Sequence, residues 1–277
     1  NGGAIECNAT RMNLTYTLFE SNYAGEYGAA LCREVGATSG FGEYNNFTSN
    51  HAGIAGAALA WMNVKNININ HYIFTDNTAD AMGGAIYASK GSDNFTINNC
   101  DFKGNNITNA TGGYGGAIFS DSSNNTIKNS NFTNNKANGT VVCMMGNFGD
   151  GGAIMWTGSN GTVDDCNFIN NTATQRGGAV FLRGIEGRAP CDNNTFKNSH
   201  FENNTAGTNG GAIDWYQGAT NGAIENSTFE HNVANRSAGA VFWNGDTGKI
   251  VSSNFTNNYV TGTNINPDNN NTGNGGA

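Results

Sequence analysis

The residues best suited to acid–base chemistry are the adjacent Asp164 and Asp165, with Asp101 on a neighbouring face. Paired carboxylates of this kind cleave or eliminate across sugar linkages, one giving a proton while the other takes one or attacks. Asp165, however, precedes Cys166 at a place where equivalent stretches carry Asn99, Asn129 or Asn226. A single substitution within an Asn-rich corner therefore accounts for it. The four histidines (His51, His71, His200 and His231) are scattered, and the six cysteines show no metal-type spacing. No catalytic residue, metal site or cofactor is expected, and the chain reads as a non-enzyme.

The other chemistry written in the sequence is covalent modification. Asn-x-Ser/Thr, the acceptor motif for N-glycosylation, occurs at 17 positions. Random order of the 50 Asn and 42 Ser/Thr would give about 8. Asn-rich turns meeting Thr-rich strands explain part of the excess. Asn106, Asn109, Asn138 and Asn160 are the first candidates to carry glycan, and Asn131 and Asn254, each just before a core Phe, should also face outward.

The elements that position these residues come from an internal repeat. The phrase GGAI, or a close variant, recurs at 2–5, 28–31, 56–59, 83–86, 115–118, 151–154, 177–180, 210–213 and 238–241, and starts again at Gly275. Its alanines are 26 to 37 residues apart. Between successive copies sits F-x-x-N, nine times in strict alternation, from Phe19–Asn22 to Phe255–Asn258. Each unit holds short apolar pieces separated by Gly, Ser and Asn, too short for helices and suited to strands joined by tight corners. One unit cannot bury its own apolar face, whereas stacked units can.

The pattern predicts an all-β fold, a right-handed parallel β-helix (solenoid) of about nine turns with three short sheets, as one domain over 1–277. Nine turns at about 4.8 Å give a rod of about 43 Å. Ile5, Leu31, Leu59, Ile86, Ile118, Ile154, Val180, Ile213 and Val241 should stack inside. So should the nine phenylalanines, with mostly small residues such as Cys100, Ser130 and Cys166 two positions before them. The asparagines closing F-x-x-N should form an amide ladder at a corner, where Asn tolerates left-handed backbone angles.

The alternation of GGA[IV] and F-x-x-N resembles the passenger domains of chlamydial polymorphic membrane proteins. With this Asn/Thr-rich background it also resembles adhesin-like surface proteins of methanogenic archaea. The resemblance implies a β-helical rod at the extracellular cell surface that serves adhesion or forms stalks and fibres. It transfers no catalytic residue. A polysaccharide-binding or polysaccharide-degrading β-helix, a lyase or hydrolase, is the alternative.

Repeat phase yields further expectations. Cys7 and Cys32 fall three and two residues after the alanines of neighbouring turns, which predicts a disulfide between turns. Cys143 and Cys191 lie in long insertions and form a second candidate pair. Cys100 and Cys166 share one ladder position two turns apart, about 9.6 Å, too far to bridge, and should be free thiols. Tyr87, Phe119, Met155, Phe181 and Phe242, two residues after the repeat Ala, should point outward as an apolar stripe. That stripe either binds sugars or another rod, or is buried by insertions folding over it.

The net charge of −8, with 13 scattered basic residues, offers no footprint for nucleic acid. No apolar run approaches 18 residues, so no membrane span is expected. Gly2, Gly3, Ala4 and Ile5 at one end, and Gly275, Gly276 and Ala277 at the other, repeat the same core phrase without a cap. The expected partner is therefore self, as head-to-tail copies or adjoining repeats of a longer array or filament, with host or cell-surface glycans as targets.

Overall fold

A computed structural model describes residues 1–262, except residue 10 and residues 35–38, 109–112, 140–141, 144–145, 148 and 185–190. Asn109, Gly275, Gly276 and Ala277 lie outside the described residues, as does the side chain of Cys143.

The repeat folds as read, into a right-handed parallel β-helix, but with four long sheets rather than three. Each sheet has nine parallel strands, one per rung. The first runs from Ile5–Cys7 to Val241–Trp243, the second from Arg11–Thr15 to Gly248–Val251, the third from Leu18–Glu20 to Asn254–Thr256, and the fourth from Tyr23–Ala24 to Tyr259–Val260. About eight full turns separate the first rung from the last. No helix among the described residues is long and apolar enough to cross a membrane.

The fourth sheet is hidden in the phrase that follows F-x-x-N. Its strands are only two residues long, as at Thr78–Ala79 and Thr172–Ala173, with Thr outward and Ala buried. The GGA turn packs directly on these small strands. A Cβ on Gly152 would sit 2.0 Å from Gly178 O and 2.7 Å from the Thr172 backbone, so at this rung the second glycine answers a close backbone approach, whereas Ala29 and Ala57 fill the same place in the second and third rungs. The first, Gly151, has φ +70.

Inside, the rings of Phe47, Phe74, Phe102, Phe132, Phe168, Phe201 and Phe229 stack nearly parallel, with neighbouring centroids 4.6–5.2 Å apart. That spacing matches the rise between hydrogen-bonded strands. The aliphatic ladder pairs in register, Ile86 with Leu59 and Ile118, Ile154 with Val180.

The F-x-x-N asparagines form the amide ladder, with one shift. The left-handed angle falls on the residue before, such as Asn134 (φ 57) or Asn170 (φ 57), and the closing Asn turns inward. Asn135 Nδ2 donates to Asn171 Oδ1 (3.0 Å) and to Phe102 O (2.9 Å), and the Asn135 backbone N donates to Asn171 Oδ1 (3.0 Å). Both amide ends are thus satisfied inside the wall, which is why a fully buried polar residue costs little there.

Candidate functional site

The outer face of the first sheet carries the densest departure from the repeat. Strand alternation sends one residue of each strand outward, giving the column Cys32, Ala60, Tyr87, Phe119, Met155, Phe181, Asp214, Phe242. Across the glycine turn a second column faces it: Tyr27, Ala55, Met82, Tyr114 and Asp150. Arg176 and then Asn209 continue it in the following rungs, joined through Gly151 N to Arg176 O and Gly177 N to Asn209 O. Members of one rung touch across the turn, Tyr114 with Phe119 at 6.3 Å between ring centroids and Arg176 over Phe181 at 5.8 Å.

The stripe read from the sequence therefore exists but is largely covered. Phe119, Met155 and Phe181 are buried as one cluster, with Met82, Tyr87, Tyr114 and Tyr216 packed against it. Phe181 is 0% exposed, and Phe242 is half-buried. A free aromatic platform is contradicted at its centre, because neighbouring side chains of the facing column occupy the ring faces.

Where the stripe passes the sixth to eighth rungs it becomes ionic. Asp150 Oδ1 accepts from the Arg176 backbone N at 3.1 Å. Burial pushes the Asp150 carboxyl up to about 7, against the opposing charge of Arg176. Asp214 is 0% exposed, and neither of its oxygens has a hydrogen-bond partner; Asn209 Oδ1 is likewise buried without one. Burial holds Asp214 well above the ordinary carboxylate range, with Arg176 partly offsetting and Asp150 reinforcing the effect. The Arg176 guanidinium lies 4.3 Å over the Tyr216 ring, a cation–π contact. This is a buried carboxyl group without hydrogen-bond partners, beside aromatic rings and within electrostatic reach of one cation. Among the described residues no group of three His, Cys, Asp or Glu side chains converges to hold a metal.

Asp150, Arg176 and Asp214 were not singled out from the sequence. The signal was available as a column break, since A-I-D-W at 212–215 puts Asp where A-I-F-S and A-V-F-L put Phe. The carboxylates that were singled out are dispersed. Asp164 pairs with Lys197 Nζ (3.2 Å) and accepts from Asn198 Nδ2 (2.7 Å), Asp101 accepts from Asn131 Nδ2, and Asp165 is an exposed left-handed corner residue.

Both disulfide expectations are corrected. Cys32 pairs in register with Glu6, and Cys7 with Arg33, so Cys7 and Cys32 lie on opposite faces of the sheet and both are free. A one-residue difference in phase reverses the face. Cys191 is a free buried thiol bonded to Asn194 Nδ2 and Trp156 O, so it does not bridge to Cys143. Cys100 and Cys166 are free and buried, and burial pushes both thiols up to about 12. Of the sequon asparagines named above, Asn131, Asn160 and Asn254 are exposed, while Asn106 and Asn138 are half-buried and bonded to each other at 3.0 Å. At the first rung, Ile5 pairs with Leu31, and Gly2 N and Ala4 N donate to Tyr27 O and Ala29 O.

Four closed sheets around an apolar lumen define the class, and the comparison with protein families agrees. The right handed beta helix region family matches residues 102–265, more than half of the chain, and the chain belongs to it. The Chlamydia polymorphic membrane protein repeat matches residues 72–89, which span one F-x-x-N phrase and the GGAI phrase after it. No curated protein matches the chain.

Proposed function

We infer that the chain is the rod of an extracellular cell-surface protein, a β-helical stalk or fibre segment serving adhesion and extended by head-to-tail stacking. The single observation that carries this reading is the register. All four sheets run unbroken and in register through nine rungs. Every rung pairs with an equivalent rung in matching apolar columns, so a copy of the same rung suits this wall better than an unrelated surface. The chlamydial repeat supports the cell-surface placement.

On this reading the chain does no catalysis, since its two most perturbed carboxylates, Asp150 and Asp214, are enclosed by the rod's own side chains. Sedimentation velocity at rising concentration, beside antibody labelling of intact source cells, tests the proposal. We expect end-to-end oligomers, and labelling without permeabilisation. A wild-type chain that stays monomeric throughout, or labels only permeabilised cells, would overturn it.

A further inference from the structure

We propose that Asn94, Asn124, Asn160 and Asn193 form an axial row of N-glycosylation sites, and that adjacent rungs of this row are not glycosylated on the same molecule. The four occupy one corner, the entry to the second sheet, in four consecutive rungs. All are exposed and all are left-handed, with φ between 57 and 63. A left-handed corner lifts the side chain clear of the wall. Each heads a sequon whose third residue, Thr96, Thr126, Thr162 or Thr195, lies in one outward column of the second sheet. The middle residues, Phe95, Asn125, Gly161 and Asn194, are buried. Amide and hydroxyl are thereby presented together on the outer surface, as the acceptor motif requires.

None of the ten fully buried asparagines heads a sequon, and no described sequon asparagine is buried. Strand alternation supplies part of that segregation, because Thr is an outward residue in this wall. It does not supply four sequons in line, since the same corner holds Asn66 and Asn221 without one.

Three of the four amides donate to the corner amide of the rung before. Asn160 Nδ2 donates to Asn124 Oδ1 (3.0 Å), Asn193 Nδ2 to Asn160 Oδ1 (3.1 Å), and Asn94 Nδ2 to Asn66 Oδ1 (3.3 Å). The Asn94, Asn160 and Asn193 nitrogens each spend one hydrogen on that bond and keep a second. In the transfer step Nδ2 loses a proton and bonds to the anomeric carbon of a lipid-diphosphate-linked sugar. The anomeric C–O bond breaks, and the diphosphate leaves with its electron pair. The ladder bond survives this substitution. The rungs, however, are about 4.8 Å apart. A pyranose with its ring substituents is wider than that, so a glycan on one rung covers the amides above and below and shuts out the transferase.

Top-down mass spectrometry of the protein purified from its source cells, localising glycans on single molecules, is the test. The expected result is glycan in this row with Asn94/Asn160, Asn124/Asn193 or Asn94/Asn193 as the combinations, and no adjacent pair. Thr126→Ala, which removes one sequon but leaves the Asn124 corner intact, shifts occupancy to Asn94 and Asn160. A row without any glycan, or adjacent rungs modified on one molecule, would overturn the proposal. It shares with the surface reading only the chain's export. A bare chain labelled on intact cells sinks this proposal and spares that one, and a glycosylated chain that never stacks does the reverse.

Discussion

Asp214 is a carboxyl group held between Phe181 and Phe242 in its column, with the Arg176 guanidinium and Asp150 in electrostatic reach. The folded chain keeps protons on Asp214 and Asp150 that the unfolded chain has released, because both carboxyls sit above their ordinary value of 3.8. Their contribution is therefore complete below about pH 4 and is lost as pH rises, through about 7 for Asp150 and through the raised value of Asp214. Asp214→Asn keeps the shape of the neutral acid and cannot ionise. We expect its urea midpoint to equal that of the wild type at about pH 4 and to exceed it at about pH 8. A midpoint below the wild type at the higher pH would contradict the assignment. The column break at Asp214 was legible in the sequence, but its burial was not, for a physical reason. Burial of a column depends on what the facing column places over it, and Tyr114 or Arg176 lies in another part of the repeat. The same limit misplaced Cys7 and Cys32, whose one-residue offset looked small along the chain and is a full reversal across the sheet.

At the scale of the element, the unit of construction is a close contact between the GGA turn and the two-residue fourth strand. Gly152→Ala forces a methyl group into Gly178 O and the Thr172 backbone, neither of which can yield without separating the rungs. We expect a loss of about 3 kcal/mol or more in urea unfolding. Thr172→Ala, on the outer side of the same strand, should stay within about 0.5 kcal/mol. Equal effects would refute the packing argument. The three longer strands of each turn were legible because their apolar residues alternate visibly. The fourth was not, since Thr-Ala after F-x-x-N carries one small buried methyl group and reads as part of a corner. The left-handed angle was misassigned by one residue for a related reason. Asn serves two roles there, a corner that tolerates positive φ and an amide that closes the wall, and Asn170 and Asn171 stand side by side.

Across the whole molecule, stability is shared between rungs rather than held by any one of them. The phenylalanine stack, the amide ladder and the four sheets each link a rung only to the next. This is why a count of repeats predicted the architecture. Excision of a complete rung, residues 102–131, tests that claim most directly. It brings Asp101 up to Phe132 and keeps every column in phase, because Phe102 and Phe132 are register partners. Circular dichroism and urea unfolding should show a folded, cooperative, one-rung-shorter rod, whereas removal of residues 102–117 alone should abolish folding. An unfolded product from the first deletion, or a folded one from the second, would contradict it.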